Sequence, residues 1–168
     1  MLQRWFMKHA QARENINRAA PGDVGMLLVR DHASLKKLLA ELVVAFRTGD
    51  RDQCAALWNA FDSSLEAHMA LEEQLILPEF AKVDPAEATA LGREHVAIRA
   101  ALCELGIGVD LHCTNVELVE RFVHVLEDHA KREEALLYQW GRANLPQSVQ
   151  ATIRSRLNAA VHKLLATK

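Results

Sequence analysis

The chain has 168 residues, half of them hydrophobic and a quarter charged. This length suits a single domain spanning residues 1–168, and the low content of glycine (seven) and proline (four) favours long helices over sheets. Twenty basic and twenty-two acidic side chains give a net charge of -2, which argues against nucleic acid and against a membrane surface as partners.

The cysteines and the hydropathy pattern indicate in which cellular compartment the protein resides. Cys54, Cys103 and Cys113 are odd in number and lack a C-x-x-C spacing, which is typical of reduced thiols in a reducing compartment. The first residues lack an apolar run of signal-peptide length, and the sequence has no stretch of about 18 apolar residues that could cross a membrane. We therefore expect a soluble cytoplasmic protein.

Two helices are predicted within the first 50 residues. Residues 1–20 carry one apolar stripe and end at Pro21-Gly22, which predicts an accessory helix lying across the main body. Asp23 is suited to cap the next helix, which should end at Thr48-Gly49-Asp50, and Asp50 with Gln53 offers a cap for the helix after it. The predicted buried face of that helix contains Val24, Leu28, His32, Leu35, Leu39, Leu42 and Phe46.

The second and third long helices also place a histidine on the buried face. Pro78 should kink or end the second helix, and Asp84-Pro85 should begin the third. We expect the third helix to stop near Gly106-Ile107-Gly108. The two buried faces contain Leu57, Phe61, Leu65, His68, Glu72 and Leu75 in one helix, and Leu91, His95, Ile98, Leu102 and Leu105 in the other.

A fourth predicted helix begins at Thr114, which can form a capping box with Glu117, and ends at Gly141. A fifth begins near Pro146, and its buried face carries neither a histidine nor an acid. The fourth buried face contains Leu118, Phe122, Val125, His129, Glu133, Leu136 and Trp140.

The connections between the four central helices are short, which favours antiparallel neighbours. The predicted fold is therefore all-α, an up-down-up-down four-helix bundle over about residues 23–141. The segments 1–20 and about 146–166 are predicted as accessory N- and C-terminal helices.

Six polar side chains interrupt the four apolar stripes, and the spacing His-x-x-x-Glu occurs in both the second and the fourth helix. Unpaired carboxylates are costly in a core, and metal ions would satisfy all six groups. One histidine alone would be read as a hydrogen-bonded core residue, but the repeated pattern favours a binuclear metal centre, and the absence of cysteine argues against structural zinc. The candidate metal ligands are His32, His68, Glu72, His95, His129 and Glu133.

The other four histidines are not expected to bind the metals. His124 lies about 140° around the helix from His129, so both cannot face one centre. His9, His112 and His162 lie in a loop or in the end segments, where His9 and His112 could still reach the bundle if those segments fold inward.

An acid directly precedes three of the candidate ligands, at Asp31, Glu94 and Asp128. These carboxylates could orient an imidazole, but adjacent helical residues point about 100° apart, so we favour a role as solvated charges. The aromatic residues predicted to belong to the core or to an interface rather than to act as redox partners are Trp58, Trp140 and Tyr138.

The order and spacing of these motifs resemble the hemerythrin-like, HHE cation-binding family over about residues 23–141. The resemblance implies a non-haem di-iron centre in which Glu72 and Glu133 bridge two iron ions, with an oxo or hydroxo bridge. It places His32 and His68 on one iron, and His95 and His129 on the other. The motifs that carry it are Asp31-His32, His68 to Glu73 with Pro78, Arg93-Glu94-His95, and His129 to Glu134 followed by Leu137-Tyr138.

Two departures set this sequence apart from the oxygen-carrying members of that family. Those proteins have a further histidine one turn after the third-helix ligand, where this chain has Arg99. They also place an aspartate five residues after the last histidine, whereas here Glu133 follows at four and Glu134 is the alternative. With two histidines, two bridging oxygens and a solvent-derived bridge, about five of six octahedral positions are filled, so each iron could keep an open site.

Binding or sensing of O2, nitric oxide or a related small oxidant is the function that we predict first. The alternatives are a di-iron enzyme that reduces peroxide or nitric oxide, iron storage, or repair of iron centres. Relatives of the repair type carry an N-terminal cysteine pair, and residues 1–20 contain no cysteine, so we expect repair less. A metal-free helical interaction module is the remaining possibility.

Overall fold

The structure, a computed structural model, describes residues 23–110 and 116–166, and all of its regular elements in those ranges are helices. The predicted helix at 1–20 and the capping residue Thr114 lie outside the described residues. The helices are α1 Val24–Thr48, α2 Arg51–Leu75, α3 Leu77–Phe80, α4 Pro85–Asp110, α5 Val116–Ala135, α6 Leu137–Asn144 and α7 Gln147–Ala166.

Three of the predicted helix starts are confirmed by side-chain caps. Asp23 accepts a hydrogen bond from the Met26 amide at 3.3 Å, and Asp50 accepts one from the Gln53 amide at 3.0 Å. Asp84 caps α4 in the same way, at 3.0 Å from the amide nitrogen of Glu87. These aspartates satisfy amides that have no partner within the first turn of a helix, so local sequence determines where α1, α2 and α4 begin.

The predicted end of the third long helix was wrong, because α4 runs through Gly106 and Gly108 to Asp110. A Cβ atom at Gly106 would lie 3.1 Å from Cζ2 of Trp58. The glycine therefore serves the close approach of α4 to an indole ring instead of ending the helix.

The fourth long helix was predicted as one element ending at Gly141, and this too was wrong. The backbone breaks at Leu136 (φ -113°, ψ -67°), and α6 then continues past Gly141 to Asn144. A similar break at Ile76 separates α2 from α3, as Pro78 predicted.

Two apolar clusters fill the two ends of the bundle. One contains the second half of α1, residues 58–69 of α2, the second half of α4 and the first half of α5, with Phe61 edge-on to Phe122 at 6.2 Å between ring centroids. The other contains the opposite halves of α1, α2 and α4, together with α6 and α7. Successive long helices therefore run in opposite directions, which confirms the predicted all-α up-down bundle.

Helix α7 packs against α1 and α2 through Ile153 and Leu157, which agrees with the predicted C-terminal accessory helix. Within residues 23–110 and 116–166, no helix combines the length and the hydropathy that crossing a membrane requires.

Candidate metal centre

The six predicted ligands meet in the layer between the two apolar clusters. Each of the four long helices contributes at least one of them, and all six are buried, with no more than 6% of any residue exposed. Helices α2 and α5 contribute a histidine and a glutamate each, because a spacing of four residues places both side chains on one helical face. The residues brought together are His32, His68, Glu72, His95, His129 and Glu133.

A carboxylate on a neighbouring helix holds the outer nitrogen of each histidine. His68 Nδ1 lies 2.8 Å from Asp31 Oδ2, and His129 Nδ1 lies 2.8 Å from Glu94 Oε2. An ionised carboxylate can only accept a hydrogen bond, so Nδ1 carries the hydrogen in both pairs. Carboxylates that orient histidines in this way are a regular feature of metal sites.

The other two histidines are held in the same way. His95 Nδ1 lies 3.0 Å from Glu73 Oε1, and His32 Nδ1 lies 3.0 Å from Glu134 Oε1. The four pairs thus connect the four long helices in a closed ring. Each of the four carboxylates is also adjacent in sequence to a predicted ligand, which is a signal that the sequence contains.

The prediction that Asp31 and Glu94 are solvated charges was therefore wrong. Each orients the histidine of a neighbouring helix and not the histidine next to it in the chain, because adjacent residues point about 100° apart. Asp128 does match the prediction: its side chain is 79% exposed and pairs with Lys131 at 3.0 Å.

The inner atoms form two groups that share both glutamates. One group is His32 and His68 with the glutamates, the other is His95 and His129 with the same glutamates, and within each group the ligand atoms lie within 4.8 Å of one another. This arrangement can hold two cations side by side, with the carboxylates shared between them.

Each shared glutamate turns one oxygen toward each group. Glu133 Oε2 lies 3.3 Å from His32 Nε2, while its Oε1 lies 3.0 Å from His129 Nε2. Glu72 Oε1 lies 3.6 Å from His68 Nε2, and its Oε2 lies 3.4 Å from His95 Nε2. Both carboxylates are thus placed to bridge two metal positions.

The inner atoms lack enough hydrogens to satisfy one another. His32 Nε2 and His68 Nε2 are 3.0 Å apart, and both are lone-pair acceptors when the rings are neutral and Nδ1 is protonated. Among the described residues, Glu72 Oε2 and His129 Nε2 are buried without a hydrogen-bond partner. His129 Nε2 is close to Glu133, but two acceptors that face each other make no hydrogen bond. Such buried acceptors are costly, and a cation would satisfy them, so the residues fit a metal.

The ionisation of the cluster leads to the same conclusion. Burial by itself would lower the pKa of His32, but hydrogen bonds with Glu133 and Glu134 raise it to about 9. Burial would also lower the pKa of His95, but Glu133 and Glu72 raise it to about 10. The carboxylates that raise these two pKa values would equally favour a cation bound between imidazole and carboxylate.

Tyr138 is a site residue that the sequence did not predict. It is buried, as expected of a core residue, but its hydroxyl donates a hydrogen bond to Glu72 Oε1 at 2.6 Å and lies 2.9 Å from His32 Nε2. Burial raises its pKa well above the usual value, and the charges of Glu133 and Glu72 raise it further. On a continuous helix Tyr138 would point about 180° away from His129, and the break at Leu136 brings it into the site.

A family model described as the hemerythrin HHE cation binding domain matches residues 26–140. The chain belongs to this family. No curated protein and no solved structure matches the chain. The resemblance inferred from the four motifs is thereby confirmed, and with it the hemerythrin-like fold. The buried histidines and glutamates of this HHE domain are compatible with a metal centre.

Arg99 occupies the position of the additional histidine in oxygen-carrying relatives, and here it lies outside the inner cluster. Its guanidinium donates two hydrogen bonds to Glu73, at 2.7 Å and 3.1 Å, and one to Glu66 at 2.9 Å. Burial would raise the pKa of Glu73, but hydrogen bonds from Arg99 and His95 lower it. Arg99 therefore holds the carboxylate that orients His95 and is not placed as a ligand.

Arg132 has the equivalent role in the HHE domain for the carboxylate that orients His129. It donates hydrogen bonds to Glu94 and to Glu87, the latter at 2.5 Å and 2.8 Å. Both histidines of the His95–His129 group are thus backed by a carboxylate paired with an arginine. In the other group, the cation beside Glu134 is Lys36, whose Nζ lies 3.6 Å from Glu134 Oε1.

The histidines excluded by sequence reasoning can be placed only in part. His124 is exposed and pairs with Glu127 at 3.8 Å, away from the centre, as predicted. His162 belongs to α7. His9 and His112 lie outside the described residues.

A small cavity adjoins the candidate metal centre. It has a volume of about 40 Å³ and is lined by side chains of α1, α2 and α5, and apolar atoms form almost all of its surface. His32, His68 and His129 all contribute to it. A much larger surface groove, of about 650 Å³, lies between α1, α2 and α7 and touches only one of the six candidate ligands, His68.

Proposed function

We propose that this HHE domain holds two iron ions and binds or senses a small neutral ligand such as O2 or nitric oxide. Imidazole and carboxylate together suit iron, and two shared carboxylates suit a pair of cations. When bound, reduced iron would supply the electrons that such ligands accept. One ion would be held by His32 and His68, the other by His95 and His129, with both glutamates shared.

The cavity beside the histidines is the observation that carries this proposal. A volume of about 40 Å³ exceeds the roughly 10–15 Å³ that one water molecule requires and is far below the roughly 300 Å³ at which pockets for organic ligands begin. A ligand of two or three heavy atoms fits there. The larger groove between α1, α2 and α7 contacts a single candidate ligand, so it supports an organic substrate less well.

The lining of the cavity also favours binding over turnover. Leu35, Leu39, Phe61 and Leu65 form much of its wall, which suits a neutral ligand. Reduction of peroxide or of nitric oxide consumes protons, and Lys36 and Glu127 are the ionisable residues of the lining besides the candidate ligands. The di-iron enzyme remains the second candidate, and iron storage or repair follows it.

The test combines metal analysis with optical spectra of the reduced, O2-exposed, nitric-oxide-exposed and azide-treated protein. The proposal expects about two irons per chain and a stable adduct that leaves when the ligand is removed. Steady consumption of peroxide or nitric oxide with an electron donor would support the enzyme instead. Freshly purified protein without bound metal would favour the metal-free interaction module.

A pair of variants tests whether the cavity holds the ligand. Leu39→Phe should reduce the cavity volume, so ligand affinity should fall while the iron content stays the same. Val44→Phe makes a similar enlargement on the exposed face of the same helix and should change neither. Equal ligand affinity in the two variants would show that the ligand binds elsewhere.

A further inference from the structure

The hydroxyl of Tyr138 lies against one of the two ligand groups and contacts every member of it. Its oxygen is 2.6 Å from Glu72 Oε1, 2.9 Å from His32 Nε2, 3.4 Å from His68 Nε2 and 3.5 Å from Glu133 Oε2. Within the described part of the chain, the hydroxyl contacts given by the structure all belong to this group. Tyr138 thus distinguishes two halves that otherwise have the same donor set.

These four distances are those of neighbouring donors around one cation. In an octahedron with bonds of about 2.1 Å, adjacent donor atoms lie about 3.0 Å apart. The phenol oxygen lies between 2.6 Å and 3.5 Å from all four ligand atoms, and the two histidine nitrogens are themselves 3.0 Å apart. An oxygen at one vertex of an octahedron has four such neighbours, which is the number found here.

We propose that Tyr138 is a metal ligand, and that its phenolate oxygen binds the cation held by His32, His68, Glu72 and Glu133. This inference rests on the proposed function, because it requires the site to be loaded with metal. On coordination the O–H bond breaks, the oxygen keeps the electron pair for the metal, and the proton leaves to solvent. The hydrogen bond from Tyr138 to Glu72 is the metal-free counterpart of that state.

The two metal positions would then differ in how many protein donors surround them. The tyrosine half has five donor residues, whereas the half formed by His95, His129 and the shared glutamates has four. The second half would then have the more open coordination sphere for an added small ligand, and the cavity borders both halves, since His129 lines it together with His32 and His68. Arg99 points away from the cluster and adds no donor to the metal held by His95 and His129. The additional donor of this chain would be Tyr138 of α6, on the metal held by His32 and His68.

Tyr138 is the single tyrosine of the chain, so any tyrosinate signal reports on it alone. The protein is loaded with Fe²⁺ and oxidised to the ferric form. We expect a visible phenolate-to-iron charge-transfer band and resonance-enhanced phenolate ring vibrations in Raman spectra. Tyr138→Phe should lose both signals and bind one of its two metals about tenfold or more weakly.

The matched control is Trp140→Phe, a second aromatic change in α6. Trp140 packs on Phe80 at 5.1 Å between ring centroids, so this variant should keep the band and both metals. A ferric wild-type protein that lacks phenolate vibrations and has the spectrum of Tyr138→Phe would overturn the inference. Tyr138 would then be only a hydrogen-bond donor to Glu72.

A second metal separates this inference from the proposal of iron. Zn²⁺ is titrated into the metal-free protein while the near-ultraviolet difference spectrum of phenolate is followed. A phenolate signal that Tyr138→Phe abolishes supports ligation even if the purified protein carries no iron. Absence of that signal at full zinc occupancy counts against tyrosine ligation of a divalent metal, and the ferric spectra then decide for iron.

Discussion

Replacing Asp31 by Asn tests the ring of carboxylates around the metal centre. Asp31 Oδ2 accepts a hydrogen bond from His68 Nδ1 at 2.8 Å, a short distance that is typical of a charge-assisted bond. Asparagine keeps the shape of the side chain but removes the negative charge that holds the ring. We expect Asp31→Asn to weaken metal binding without unfolding the protein.

The size of the loss follows from the position of the pair. Removing a partner of a metal-bound histidine costs about 10- to 100-fold in metal affinity, or about 1.4–2.8 kcal/mol. The Asp31 side chain is 28% exposed, so water screens part of its charge. We therefore expect a loss near the lower value, about tenfold.

Asp128→Asn is the matched control, because the same chemical change is made at another acid that directly precedes a candidate ligand. Asp128 pairs with Lys131 on the surface and does not touch the site, so its replacement should leave metal affinity unchanged. Both variants are titrated with Fe²⁺ under anaerobic conditions against a competing chelator. Unchanged affinity in Asp31→Asn, or equal losses in both variants, would refute the reasoning.

Three further changes test other parts of the molecule. Chelating the metals should lower the Tm, because a ligand bound only by the folded chain adds about 2.7 kcal/mol at about 100 times its Kd; an unchanged Tm would contradict a buried site. Arg99→Met should weaken metal binding at most about fivefold, since its ion pair with Glu73 is partly exposed and such pairs contribute up to ~1 kcal/mol; a loss beyond that of Asp31→Asn in the same titration would show a larger role. Phe61→Ala should lower the free energy of unfolding in urea by about 3–5 kcal/mol, whereas the exposed Val44→Ala should stay within about 0.5 kcal/mol; equal effects would contradict the assigned core.

The helix starts and the inner face of each helix could be predicted because both depend on local order in the chain. Asp23, Asp50 and Asp84 reach amides only three residues away. The period of 3.6 residues places His68 and Glu72 on one face whatever lies opposite. The cluster of six buried polar side chains could therefore be inferred before any helix was placed.

The partners of the outer carboxylates could not be predicted in this way. Asp31 directly precedes His32 in the chain, but it accepts a hydrogen bond from His68, because its side chain points toward a different helix. Glu94 is related to His129 in the same manner. Which helix lies next to which is a tertiary property, and sequence adjacency led to the wrong partner.

The predicted helix ends were wrong for a related reason. Glycine ends a helix when the backbone must turn, but at Gly106 it makes room for Trp58 on another helix. Both uses leave the same residue type in the sequence. Only the packing of α2 against α4 shows which of the two roles Gly106 has.

The sequence by itself determined which side chains face the centre of the bundle, because helical periodicity is a local property. Tertiary structure decided which carboxylate holds which histidine, and it brought Tyr138 to the candidate metal ligands. The break at Leu136 rotates α6 relative to α5, and packing of α6 on α1 accompanies that rotation. Tyr138, nine positions after His129, thus reaches the site, whereas on a straight helix it would point away from it.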